Sequence, residues 1–375
     1  MLRRVALGLL GLVLAWSVTA GDWPLFRGDA ALTGVASDTL PDKLAPLWVF
    51  EAEDGFASAV AVSDGAVYAG SLDGRLYVLD LDSGELRWSY EAGAAIKSSP
   101  AVADGLVFFG DEDGTFHAVD IDTRKRKWSF EAEAEIVSSA NIAAGSVIFG
   151  SHDESVYCLG AEDGSLRWQV QTRGFVYGTP ALSEGQVVSA GCDGFMRVID
   201  LANGTVVREV ELGGYVGASP AIHSGTAFVG TFENQVLAVD IEHGKVVWAY
   251  ENPDRQFPFL SSVATDGKLV VVGGRDKRLH ALDATTGKAV WTRSVGAKVD
   301  SSPVISGKRV FVGVESGEIL AFGLESGDPL WSFDTGSPVI ASPSITAGKL
   351  LIGTAEGQLF CFGAGPPETE EKGEE

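Results

Sequence analysis

Apolar and polar residues along this chain fall into short runs that restart every forty positions. Between Ala101 and Trp128 there is a small apolar segment, then an apolar run ending Phe109-Gly110, then the polar turn Glu112-Asp113-Gly114. The alternating run Phe116-His117-Ala118-Val119-Asp120 follows, and after a second turn comes Trp128. The same order appears forty residues earlier, with Gly70, Asp73-Gly74, Leu76 to Asp80, Ser83-Gly84 and Trp88, and forty later, with Gly150, Val156 to Leu159, Gly164 and Trp168. One column holds Trp48, Trp88, Trp128, Trp168, Arg208, Trp248, Trp291 and Trp331, in steps of 40 apart from one of 43. Alternation of period two predicts strands, and four short strands in a fixed repeat of this length predict propeller blades.

Each unit reads as four strands. The first is small, as in Ser98-Ser99-Pro100-Ala101, Thr179-Pro180-Ala181 and Ser302-Pro303-Val304, which suits an innermost strand crowded at the axis. The second is apolar and ends in Gly, the third alternates, and the fourth carries the Trp, expected to bury a large apolar area between blades. Turns such as Ser83-Gly84, Asn203-Gly204 and Thr286-Gly287 supply the positive φ that a tight turn needs.

The ends complete each other. Leu47-Trp48-Val49-Phe50 matches Arg87-Trp88-Ser89-Tyr90 but lacks three strands before it, while the last unit, from near Ser342-Pro343, stops after Phe362-Gly363 without a Trp. The expected fold class is therefore all-β: one eight-bladed β-propeller of four-stranded antiparallel blades over 44–363, its ring closed by the N-terminal strand so that no sheet edge stays open there. Residues 21–43 lack the repeat and are expected to form an arm packed on the rim, with Trp23 and Phe26 as anchors. Residues 364–375 are Pro-, Gly- and Glu-rich and are expected to be a disordered acidic tail.

Residues 1–20 have the form of a cleaved signal peptide: Arg3-Arg4, an apolar run from Val5 to Trp16, then Val18-Thr19-Ala20. No Cys follows, so no lipid anchor is expected, and the protein should be periplasmic or secreted. The formal charge is −23, or −25 once Arg3 and Arg4 are removed, which argues against nucleic acid and anionic membrane surfaces. The three cysteines do not make a disulfide framework. Cys158 and Cys361 share a strand position in blades three and eight, and Cys192 lies in a turn; all are read as free.

The spacings Val78-x-Asp80-x-x-Ser83-Gly84-x-x-x-Trp88 and Ala281-x-Asp283-x-x-Thr286-Gly287-x-x-x-Trp291 resemble the tryptophan-docking repeat of pyrroloquinoline-quinone-like, quinoprotein-type propellers. The opening Trp23-Pro24-x-Phe26-Arg27-Gly28 is similar to the start of many such proteins of bacterial envelopes. Within that family, the length and blade number most resemble outer-membrane assembly factors of the BamB type. The resemblance implies a non-enzymatic scaffold that binds envelope proteins, as a monomer and without a cofactor. The alternative it leaves is a quinone-dependent dehydrogenase, or a small-ligand binder, using the axial channel. Against the enzyme stand the absence of an adjacent Cys pair and of large insertions between blades.

His117 and His280 fall at the same strand position in blades two and six, and His152, His223 and His243 show no ligand spacing. All five are expected to be ordinary solvent-facing or half-buried side chains. Asp73-Gly74 and Asp113-Gly114 are read as turns, since they lack the run of oxygen ligands of a calcium loop. One face departs from the repeat. Where other blades are entered through Ala94-Ala95, Gly296-Ala297 or Gly336-Ser337, blades four, five and six are entered through Phe175 and Tyr177, Tyr215, and Phe257-Pro258-Phe259. Phe232 and Arg275 occupy neighbouring turns, and Arg173 and Arg255 lie nearby. Aromatic rings rimmed by Arg have the composition of an interaction hot spot, so these nine residues are the candidate partner-binding site; no catalytic, cofactor or metal site is assigned.

Overall fold

The computed structural model describes residues 22–365; the expected signal peptide, 1–20, and the tail beyond Gly365 lie outside them. Eight sheets follow one another; seven have four strands in sequence order from the axis outward, one of these extended by the parallel arm strand Val35–Ala36, and the eighth takes its outermost strand from the N-terminal end. Blade 2 is typical: Ala101–Ala103, Leu106–Gly110, Thr115–Asp120 and Lys125–Glu131. Blade 8 combines Ser344–Thr346, Lys349–Gly353 and Gln358–Ala364 with Leu44–Glu51, paired as Trp48↔Cys361 and Phe50↔Leu359. The ring thus closes as the sequence predicts, and the last strand takes in Ala364, one residue past the expected boundary. No described helix is long and apolar enough to cross a membrane.

The burial pattern explains the strand chemistry. Second strands are buried along both faces, hence their apolar runs; third strands, though they alternate in sequence, are buried on both faces between their ends, whereas outer strands alternate exposed and half-buried positions. Each outer strand carries a register shift just before the Trp position, as between Arg126 and Trp128 or between Pro46 and Trp48. Such bulges twist an edge strand away from pairing with another molecule. Gly ends the second strand because the next segment crosses it: a Cβ on Gly110 would come within 2.2 Å of Ile136.

Small residues near the axis do more than save space. The backbone N–H of Ala59 donates to the Ser99 hydroxyl, Ser99 to Ser139, Ser139 to Thr179, Thr179 to Ser219, Ser219 to Ser262, Ser262 to Ser302 and Ser302 to Ser342, at 2.7–3.1 Å. This hydroxyl belt links each blade to the next and stops at the seam, where position 59 is Ala.

The arm takes a route that differs from the expected rim. It runs along the free edges of the innermost strands, whose N–H groups would otherwise be unpaired. Trp23 pairs with Val62 of blade 1, and carbonyls of Pro24, Ala30, Ala31, Thr33 and Gly34 accept from Val102, Leu182, Ile222, Thr265 and Ile305. In blade 3 the Asn141 amide donates to Ala30 O, and in blade 8 the Ala347 N–H donates to Asp38. Trp23 is buried and Phe26 half-buried, and two further side chains of the arm, Arg27 and Leu32, are each only 1% exposed. Arg27 is the polar one. Its guanidinium donates to the carbonyls of Val263, Ser302 and Pro303, and burial lowers its pKa to about 9.

Candidate functional site

The candidate residues lie where the segment entering each blade meets that blade's turn between second and third strands. One hydrogen bond fixes that meeting in all eight blades. Leu72 N–H donates to Gly55 O, Glu112 to Ala95, His152 to Glu135, Cys192 to Phe175, Phe232 to Tyr215, Arg275 to Pro258, Glu315 to Lys298 and Ala355 to Pro338. The two columns therefore share one face of the ring. Blades 2 and 7 fill them with ion pairs, Lys97 with Glu112 and Lys298 with Glu315. Blades 4 and 5 fill them with rings.

Phe175 is 45% exposed, Tyr215 58%, Phe232 37% and Phe257 47%. Tyr177 is half-buried and meets Phe175 edge to face at 6.1 Å. Phe232 reaches toward the backbone of Gly217, where a Cβ would lie 3.0 Å from its ring. Tyr215, Phe232 and Phe257 make no ring contact with the Phe175–Tyr177 pair, so the rings share a face without forming one stack.

Phe259 is not part of this surface. It is 1% exposed, packed against Tyr250 and His280. The insertion that lengthens one repeat to 43 residues puts Phe259 in register with buried Val176 and Val216, so its ring fills core beneath the face.

The arginines are committed. Arg275 forks onto Asp300 at 2.9 and 2.7 Å. Arg173 lies 4.6 Å over the Phe195 ring and is paired with Glu209. Arg255 donates to Asp276 O at 3.3 Å. Arg173 and Arg275 are thus each neutralised by a carboxylate, Glu209 and Asp300.

Sequence reasoning missed His152. It occupies the turn column forty residues before Cys192 and eighty before Phe232, and that register is the signal that could have found it. Its ring stacks on Phe175 at 5.1 Å and meets Tyr177 at 4.2 Å. His117 and His280, expected to be half-buried or solvent-facing, are instead 2% and 0% exposed. Each bonds an Asp of its own blade, Asp111 at 2.8 Å and Asp276 at 3.0 Å, and a Tyr hydroxyl, Tyr90 or Tyr250. These partners are what make burial of the imidazoles tolerable. Among the described residues no group of three or more His, Cys, Asp or Glu could hold a metal ion, and Cys158, Cys192 and Cys361 are free thiols.

The sequence profile of the family described as outer membrane protein assembly factor BamB matches residues 41–156, 136–257 and 251–364. The chain belongs to this family. BamB from Moraxella catarrhalis superposes with a TM-score of 0.73 at 20% identity, over 86% of this chain and 98% of that one. The quinohemoprotein alcohol dehydrogenase from Comamonas testosteroni gives 0.78 at 15% identity, over 93% and 82%. The computationally designed Ika8 protein gives 0.75 at 18%, over 84% and 98%. At these identities the structures establish a shared fold, and folds of this kind host unrelated activities. No curated protein matches the chain.

Proposed function

We propose that the chain is a protein-binding propeller of the bacterial cell envelope, a scaffold in outer-membrane protein assembly with no catalysis of its own. The observation that carries this reading is the group Phe175, Tyr177, Tyr215, Phe232 and Phe257 on one face, where other blades place ion pairs or small residues. Rings left exposed together on a soluble protein mark an interaction site, and each can contribute about 2 kcal/mol or more at the centre of an interface. Membership of the BamB family supports the envelope setting, and a cleaved leader over 1–20 would deliver the chain to the periplasm. The dehydrogenase reading needs a carboxylate-held cation and a slot for the quinone; the described residues offer no such metal-binding group, and the arm lies along the inner strands.

The test is the double variant Tyr177→Ala, Tyr215→Ala, assayed for melting temperature and for capture of partners from an envelope extract. Unchanged melting with lost capture is the expected result. Unchanged capture would move the binding face elsewhere. Phe259→Ala serves as the contrast, since it should cost stability.

A further inference from the structure

We infer that His152 makes this docking face sensitive to protons, holding a partner while its imidazole is neutral and releasing it when the imidazole becomes charged. The inference rests on the reading of this face as a docking surface. His152 sits in the turn between second and third strands of blade 3, with its backbone fixed to Glu135 O. Its ring supports both Phe175, at 5.1 Å and 23°, and Tyr177, at 4.2 Å and 60°. Only 12% of its side chain meets solvent. Nε2 is buried without a hydrogen-bond partner, and Nδ1 lies 3.4 Å from a Glu135 carboxylate oxygen.

The groups facing it come from three blades. Its own turn contributes Asp153, which accepts from the Glu133 N–H and the Tyr157 hydroxyl. The segment entering its blade contributes Glu135. Blade 2 contributes Lys97, ion-paired with Glu112, and blade 4 contributes Tyr177, whose phenol has the Cys192 thiol beside it. Burial holds the His152 pKa below its ordinary value; Glu135 works against that, and Lys97 with it.

At neutral pH the ring is therefore an uncharged disc against exposed Phe175 and half-buried Tyr177. A proton turns Nε2 into a buried donor with no acceptor in reach. The attraction of ring faces for a cation does not supply that acceptor. Relief requires the imidazole to swing toward Glu135 and solvent, which withdraws the support beneath Phe175 and Tyr177. A partner seated on those rings removes the remaining water and so disfavours the charged form further. Partner binding and protonation of His152 then oppose each other, and by linkage each weakens the other by the same factor.

The test uses the purified chain in two readouts. The first is an NMR titration of the His152 imidazole between pH 7.5 and 5. The expected midpoint lies below the ordinary imidazole value of about 6.5, with the Phe175 and Tyr177 ring signals moving at the same midpoint. The second is capture from envelope extract across the same range. Wild-type affinity should fall toward about tenfold per pH unit below that midpoint, while His152→Asn stays level; His152→Phe replaces it should the Asn variant melt early. Equal wild-type capture at pH 7.5 and 5, or a His152→Asn variant as acid-sensitive as wild type, overturns the inference. If capture is level with pH but is lost in the Tyr177→Ala, Tyr215→Ala variant at pH 7.5, the docking face stands and the proton link falls. If that variant captures normally, the docking face falls and this inference with it.

Discussion

The indole of Trp128 lies flat against Gly164 of the next blade, so close that a Cβ at position 164 would come within 2.6 Å of it. The same indole donates its N–H to Ala161 O at 3.1 Å. Trp48, Trp168, Trp248 and Trp291 repeat both contacts, on Gly84, Gly204, Gly287 and Gly327. Trp128→Ala should lower stability by about 3–5 kcal/mol, the cost of deleting a large aromatic ring. Gly164→Ala should also destabilise, because φ there is +70° and the indole fills the space. Thermal unfolding decides it; equal midpoints for Trp128→Ala and wild type would contradict a docking role.

Arg208 holds the Trp position in blade 4, its Cδ 3.3 Å from where a Cβ on Gly244 would sit. The acceptor turn is thus ready for an indole. Arg208→Trp should leave stability unchanged or raise it by up to about 2 kcal/mol through added apolar burial. A melting temperature clearly below wild type would mean that this joint has a different geometry.

The hydroxyl belt around the axis lacks one link, because Ala59 has no side-chain hydroxyl to offer the Ser342 N–H. Ala59→Ser should complete the circuit and stabilise by about 0.5–1.5 kcal/mol. Ser219→Ala should do the reverse and cost about 1–3 kcal/mol, since it strands the buried Thr179 N–H. Denaturant midpoints measure both, and a Ser219→Ala variant as stable as wild type would show that the belt is ornamental.

Acid should loosen the outer turns. Asp80, Asp120, Asp240 and Asp283 each accept hydrogen bonds from the turn that follows, and Asp80 also from Arg87. Those bonds hold all four carboxyls below their ordinary pKa. Folded values below unfolded ones mean that this stability is complete above about pH 3.9 and is lost as pH falls through the folded values. Asp283→Asn should melt below wild type at pH 7, and the gap should close in strong acid. A gap that persists at pH 2 would assign the loss to something other than charge.

The ring could be read from the residues because its determinants repeat: an indole, a turn glycine and a strand-ending glycine return every forty positions, and the unmatched strands at the two ends fit together. The arm's path could not. Its contacts are mostly carbonyls of Trp23, Pro24, Ala30 and Thr33 meeting strand amides, and a carbonyl is the same at every residue. Ser139 and Ser219 read as small residues, since nothing local shows that each hydroxyl serves an amide forty residues earlier. Phe259 looked like Tyr215, but with the three-residue insertion counted it stands one position further on, in register with buried Val216, and one position separates surface from core in an extended segment. His152 was passed over because a lone histidine was weighed for metal ligation rather than for its place in the turn column, against the rings Phe175 and Tyr177 of the next blade.

The arm also counts. From Trp23 to Asp38 its carbonyls, and finally the Asp38 carboxylate, meet the blades in order, from Val62 in blade 1 to Ala347 in blade 8, while the Arg27 side chain reaches ahead to blades 6 and 7; the chain then enters the outer strand of that last blade at Leu44. Arg27 alone is bonded to a carbonyl 275 residues away. A chain that gained a ninth repeat would exhaust its arm one blade short, and a chain that lost one would have slack in the channel. The opening residues thus serve as a measuring tape for the ring, and any change in blade number must be matched by a change in their length.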